Sequence, residues 1–155
     1  MKFSRGFTLP ELLLVLGIIV ILLSVSVGSI LRPQRQSTLS TTAELLLTDL
    51  KSQQQKAISG LTVDGSGPSA FGIHLDSNQY QIFSGAVYSP SDTGNFTVDL
   101  DLGFEFTSDF SQNSIVFSPA SGETGALNTL TLTDTQSGFN VTYTFNRYGV
   151  AISQN

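Results

Sequence analysis

Residues 12–31 read LLLVLGIIVILLSVSVGSIL, twenty consecutive positions without a charge. Wound as an α-helix, such a run is about 30 Å long, the thickness of a bilayer's hydrocarbon core. A helix buried in a soluble core keeps a polar stripe for water, and this run has none. The segment is therefore expected to span or enter a membrane.

The residue just before the run sets a second constraint. Glu11 is a carboxylate at the mouth of an apolar helix, and charges inside a membrane cost about 2.5–3.5 kcal/mol on insertion scales. Between Gly6 and Leu31 no Lys, Arg or His is present to pair with it. Its cationic partner has to come from outside the segment or be created. An ordinary secretory signal has a basic start, an apolar stretch of about 7–15 residues and a small-x-small cleavage site. Lys2 and Arg5 supply the basic start and Ser26-Val27-Gly28 imitates the site, but the run is long for that role and Glu11 contradicts it.

Gly6-Phe7-Thr8-Leu9-Pro10-Glu11-Leu12-Leu13, after a short basic leader, resembles the class III signal of type IV pilins and type II secretion pseudopilins. The resemblance implies a cut between Gly6 and Phe7 by a membrane-embedded prepilin peptidase, and N-methylation of the new amine on Phe7. Residues 1–6 are then a leader carrying Lys2 and Arg5, and residues 7–31 a membrane and assembly helix. It also implies that Glu11 meets the Phe7 amine, its own or a neighbour's. In low dielectric such a pair is strong and an unpaired member costly, so pairing favours adding subunits in register. Pro10 suits this position, since its missing amide falls among donors that have no partner in a helix's first turn.

Pro33 is expected to kink or interrupt the helix, and Arg32 and Arg35 to mark the edge of the membrane. Beyond it, Leu39, Ala43, Leu46, Leu50, Ala57 and Leu61 recur at helical spacing, predicting an amphipathic helix from Ser37 to Ile58 with Gly60 as its stop. Thr48, Asp49, Lys51, Ser52, Gln53 and Gln55 form its polar face. Residues 32–60 are thus the second half of the helix. Residues 63–69 read as a turn-rich linker, not a phosphate loop, because no Lys-Ser/Thr follows.

Residues 61–155 carry short alternating runs of β-branched and aromatic residues between turn formers. Strands are predicted at Ala70–Leu75, Gln79–Ser84, Phe96–Leu102, Gly103–Phe106, Ser114–Phe117, Leu127–Thr133, Phe139–Phe145 and Val150–Ile152. Nine of the eleven Phe lie beyond residue 70, so the core belongs here. The expected fold is α+β, with a long N-terminal helix packed on an antiparallel sheet, the pilin-like plan. Ser114–Gly122 and Arg147–Ile152 resemble the last hairpins of H-type minor pseudopilins.

Composition narrows the chemistry. With no Cys, disulfide frameworks, thiolate zinc sites and cysteine nucleophiles are excluded. A net charge of −5 argues against nucleic acid as a partner. His74 stands alone in a predicted strand, no GxSxG elbow is present, and no enzyme or cofactor is expected. Asp99 and Asp101 share a predicted strand face and are calcium candidates, with solvated surface as the more ordinary reading. The resemblance implies a minor pseudopilin or minor pilin in the cytoplasmic membrane, its C-terminal domain outside the cytoplasm. Its implied partners are prepilin peptidase, other subunits, the assembly machinery and membrane lipid. The rival expectation is a secreted or tethered β-rich binding domain behind a conventional signal, cleaved near Gly28 or not at all.

Overall fold

A computed structural model describes residues 8–154, with the side chains of residues 25–32 and 153–154 outside that description. The chain falls into two compact units, Met1–Gln36 and Ser37–Asn155. One helix, α1, is assigned over Leu9–Ile58 and contains Pro33. The interruption expected at Pro33 is not found. A proline removes one amide donor, and the hydrogen bonds of the flanking turns carry the helix past it.

In the first unit the apolar side chains from Leu12 to Leu23 are each 44–65% exposed. Ser24 donates its hydroxyl to the Ile21 carbonyl at 2.8 Å, so the helix itself satisfies this polar group. Among the described residues no helix is long and apolar enough to cross a membrane. The side chains of residues 25–32, the far end of the expected span, lie outside the described ones.

The second unit is built on the other half of α1. Leu39, Ala43, Leu46, Leu50 and Ala57 are at most 2% exposed, the stripe that the spacing predicts. Two assignments on this helix change. Leu61 is 48% exposed because α1 ends before it, and Gln53, placed on the polar face, is 2% exposed. The Gln53 side-chain oxygen Oε1 accepts a bond from Lys56 Nζ at 3.3 Å. Gly60 ends the helix as expected. Its φ of +67° suits glycine, and its amide and that of Leu61 turn back to the carbonyls of Ala57 and Lys56.

Eight strands follow: β1 (Phe71–Leu75), β2 (Gln79–Ser84), β3 (Phe96–Asp99), β4 (Phe104–Ser108), β5 (Ser114–Phe117), β6 (Asn128–Asp134), β7 (Asn140–Phe145) and β8 (Ala151–Gln154). They form two four-stranded antiparallel sheets, ordered β3-β2-β1-β5 and β4-β6-β7-β8, where a single sheet was expected. The β1–β2 hairpin keeps the predicted limits except that β1 begins at Phe71, not Ala70, with Leu75 opposite Tyr80 across a Ser77-Asn78 loop. Phe71, Ile73, Leu75, Ile115 and Phe117 from one sheet, and Leu130, Leu132, Tyr143 and Phe145 from the other, share one core with the α1 stripe.

Polar contacts fix the helix against the strands. The Tyr80 hydroxyl donates to Asp49 Oδ2 at 2.6 Å. Gln54 Nε2 donates to the carbonyls of Gly122, at 3.0 Å, and Tyr148, at 2.6 Å, tying two loops to α1. Gly149 sits beside this clamp with φ +72°, where a Cβ would meet Phe117 at 2.7 Å and Gln54 at 2.8 Å. Asp134 is fully buried at the end of β6, its carboxylate accepting the Gln136 amide and the Ser137 hydroxyl of the turn into β7.

Two outcomes follow from this packing. Replacing Leu46, which is 1% exposed, by Ala should cost about 2–5 kcal/mol in urea unfolding. The same change at neighbouring Leu45, 51% exposed, should stay within about 0.5 kcal/mol. The second concerns pH. Burial, and then the Asp49 carboxylate, push the Tyr80 phenol well above its ordinary value, and burial with Glu44 nearby raises Tyr143. The unfolded chain loses these protons first, above the ordinary tyrosine value of about 10. The stability they contribute is therefore complete below that value and is lost as pH climbs toward their folded values. Denaturation midpoints should fall above about pH 10, and Tyr80→Phe should flatten the decline.

Candidate processing and assembly site

Of the residues implied in processing, Lys2, Arg5, Gly6 and Phe7 lie outside the described residues. Glu11 lies within them, in the first turn of α1. Thr8 immediately precedes the helix, and its carbonyl accepts the amides of Glu11 and Leu12, both at 3.1 Å. Glu11 returns the contact. Its Oε2 accepts from the Thr8 amide at 3.4 Å and from the Thr8 hydroxyl at 3.3 Å.

This is the carboxylate half of a capping box, in which the residue at the third helical position reaches back to the amide of the cap. The signal was open in the sequence as Thr8-Leu-Pro-Glu11, a Thr-x-x-Glu ahead of an apolar run, and charge counting passed over it. Glu11 lacks a cationic neighbour between Gly6 and Leu31, but it has a local neutral donor pair. The arrangement holds the carboxylate at the positive end of the helix dipole, where negative charge is favoured. It also holds it against the backbone of the residue that follows Phe7.

The calcium candidates do not share a strand face. Asp99 is the last residue of β3, opposite Gln79. Asp101 lies past its end, in a turn where its carbonyl accepts the Phe104 amide at 3.0 Å. Gly103 supplies the left-handed φ of +91° that closes this turn, and so ends the strand that the sequence pattern extended to Leu102. Among the described residues no group of three or more His, Asp or Glu is placed to hold a metal ion. In the predicted linker, Asp64 Oδ1 accepts the Ser66 amide at 3.0 Å and its hydroxyl at 2.6 Å, a local turn that holds this carboxyl below its usual range.

Comparison with known proteins bears on the same end of the chain. Residues 1–27 match the family described as the prokaryotic N-terminal methylation motif. No curated protein matches the chain, and no solved structure does. The matched segment contains the expected leader, the Gly6-Phe7 bond, the capping box and most of the apolar run. The match covers the N-terminal segment alone, and there it supports a likeness to type IV pilin-like proteins, pilins and pseudopilins together.

Proposed function

We propose that the chain is a structural subunit, a minor pseudopilin or minor pilin, of a type II secretion pseudopilus or a type IV pilus-like filament. The methylation motif at residues 1–27 carries this reading. Prepilin peptidase cuts between Gly6 and Phe7, and Phe7 becomes the N-methylated first residue. Until assembly the protein stands in the cytoplasmic membrane on the helix of residues 7–31, with its β-rich unit outside the cytoplasm.

The exposed apolar surface of α1 supports the reading. Large contiguous apolar surface on a protein marks a partner or a lipid phase, and here it covers the helix on all sides between Leu12 and Leu23. Lipid satisfies it before assembly, and the helices of neighbouring subunits satisfy it afterwards. Pairing in the filament then depends on Glu11. Scission creates a cation on Phe7, next to the Thr8 amide that Glu11 already caps. The carboxylate is thus positioned before its cation exists, which lowers the ordering cost of the pair.

The capping bond and the charge pair are separable by mutation. Glu11→Gln keeps an acceptor for the Thr8 amide but carries no charge, whereas Glu11→Ala removes both. Both variants should insert in the membrane, and both should be depleted from filaments to a similar degree, as measured by subunit mass spectrometry of sheared fibres. Full incorporation of Glu11→Gln would assign Glu11 to capping alone. Mature protein should begin with Phe7 plus one methyl group by intact mass, and a bulky residue at position 6 should leave the leader attached.

A further inference from the structure

We propose that Ser114, His74 and Asp76 form a nucleophilic serine site that hydrolyses small uncharged acyl esters in the cavity beside β5. His74 on β1 and Ser114 on β5 are direct cross-strand partners on the face of the sheet away from α1. Ser114 Oγ lies 2.9 Å from His74 Nδ1, and His74 Nε2 lies 3.5 Å from Asp76 Oδ1. The other carboxylate oxygen, Oδ2, accepts from Gln79 Nε2 at 3.0 Å and Gln81 Nε2 at 3.3 Å, which fixes the direction of Oδ1. Tyr88 stacks on the imidazole with ring centroids 3.9 Å apart and planes 7° from parallel, and packs edge-on against Phe83. The ring therefore has both its rotation and its orienting partner set.

With Asp76 Oδ1 facing Nε2, the tautomer that carries its proton on that nitrogen leaves Nδ1 as an acceptor for the serine hydroxyl. These are the roles of a Ser-His-Asp triad, with the two ring nitrogens exchanged. The hydroxyl has a second acceptor, the Gln112 carbonyl at 3.1 Å, to which it turns when Nδ1 is protonated. Gln112 and Asn113, just before Ser114, both hold left-handed backbones, with φ of 54° and 50°. Strain of this kind at non-glycine residues concentrates at functional sites.

Ser114 opens into a cavity of about 420 Å³ lined by Val87, Val116 and Ala126 on its apolar side and by Gln112, Asn128 and Asp109 on its polar side. Asp109 is the single charged residue in that lining, which disfavours anionic substrates. Gln112 and Asn128, in the same lining, carry side-chain amides of the type that donates to an oxygen turning negative on attack. In the reaction, Ser114 Oγ bonds to the ester carbonyl carbon and its proton passes to His74 Nδ1. The carbon–alkoxide bond then breaks and the leaving alcohol takes that proton. Water attacks the acyl-serine by the same route, releasing the acid and restoring the hydroxyl. Asp76 acts as a positioning residue through His74.

The test is labelling of the full-length chain, in detergent, with an uncharged fluorophosphonate. The expected result is one adduct, located on Ser114 by peptide mass. It should be absent in Ser114→Ala and form about 10²–10⁴-fold more slowly in His74→Gln. A wild type that takes up no more probe than Ser114→Ala, or takes it up elsewhere, overturns the proposal. The chain has no Cys, so Ser114→Cys places a single thiol at the site. Its alkylation by iodoacetamide should show a titration below the free-thiol value of about 8.5. Adding His74→Gln or Asp76→Asn should move that profile upward, and a profile indifferent to both changes overturns the proposal even where a serine variant folds poorly.

Discussion

Both sheets of the second unit close on one strip of helix. Leu39, Ala43, Leu46, Leu50 and Ala57 meet the inward side chains of β1 and β5 from one sheet and of β6 and β7 from the other. A four-stranded sheet with one apolar face needs a second layer to cover it. Here the helix joins the layers into one core, and each fully buried leucine contributes about 1.5–3 kcal/mol. The polar bonds at its margins have a different task. Tyr80 to Asp49, and Gln54 to the carbonyls of Gly122 and Tyr148, contribute direction, setting which turn of the helix meets which strand.

The parts of this fold legible in the sequence are those governed by period. The stripe from Leu39 to Ala57, the β1–β2 hairpin and the alternation of Val141, Tyr143 and Phe145 each repeat often enough to override local noise. Sheet membership has no period, so a single sheet was expected where the strands divide into two. Gln53 and Asp134 were missed for another reason. Each is a polar residue buried because a specific partner satisfies it, Lys56 for the first and the Gln136–Ser137 turn for the second. Hydropathy alone places such residues at the surface. His74 was isolated in the sequence because its neighbours arrive by different routes: Ser114 across a strand pair forty residues away, Tyr88 from a loop, Asp76 from the hairpin turn.

The two units solve the burial problem in opposite ways. In the second, the helix lays its apolar face on its own chain's strands, and what this half of the helix turns outward is polar apart from Leu45 and Ile58. In the first, the apolar side chains from Leu12 to Leu23 all face outward. Apolar area of that extent is tolerated where lipid or further helices cover it. The pairing of one self-sufficient unit with one dependent unit is what a subunit needs if it must fold before it assembles.

In the proposed assembly, Glu11 gives the dependent unit its specificity. Contacts among apolar helices are non-directional, so bundling alone leaves register undetermined along an uncharged run. A carboxylate at one end breaks that degeneracy, but only if it stays ionised and in place. The capping bond from Thr8 holds it in place, and the helix dipole favours its charge. The neutral donors at Thr8 cannot match a cation as a partner in a medium of low dielectric. On the proposed processing, the cut that creates the Phe7 amine supplies that partner beside a carboxylate already oriented to receive it. Timing is then built into the chemistry. On that proposal the helix end is capped and electrostatically incomplete before cleavage, and afterwards the Glu11 carboxylate and the Phe7 α-amine distinguish one register from all others.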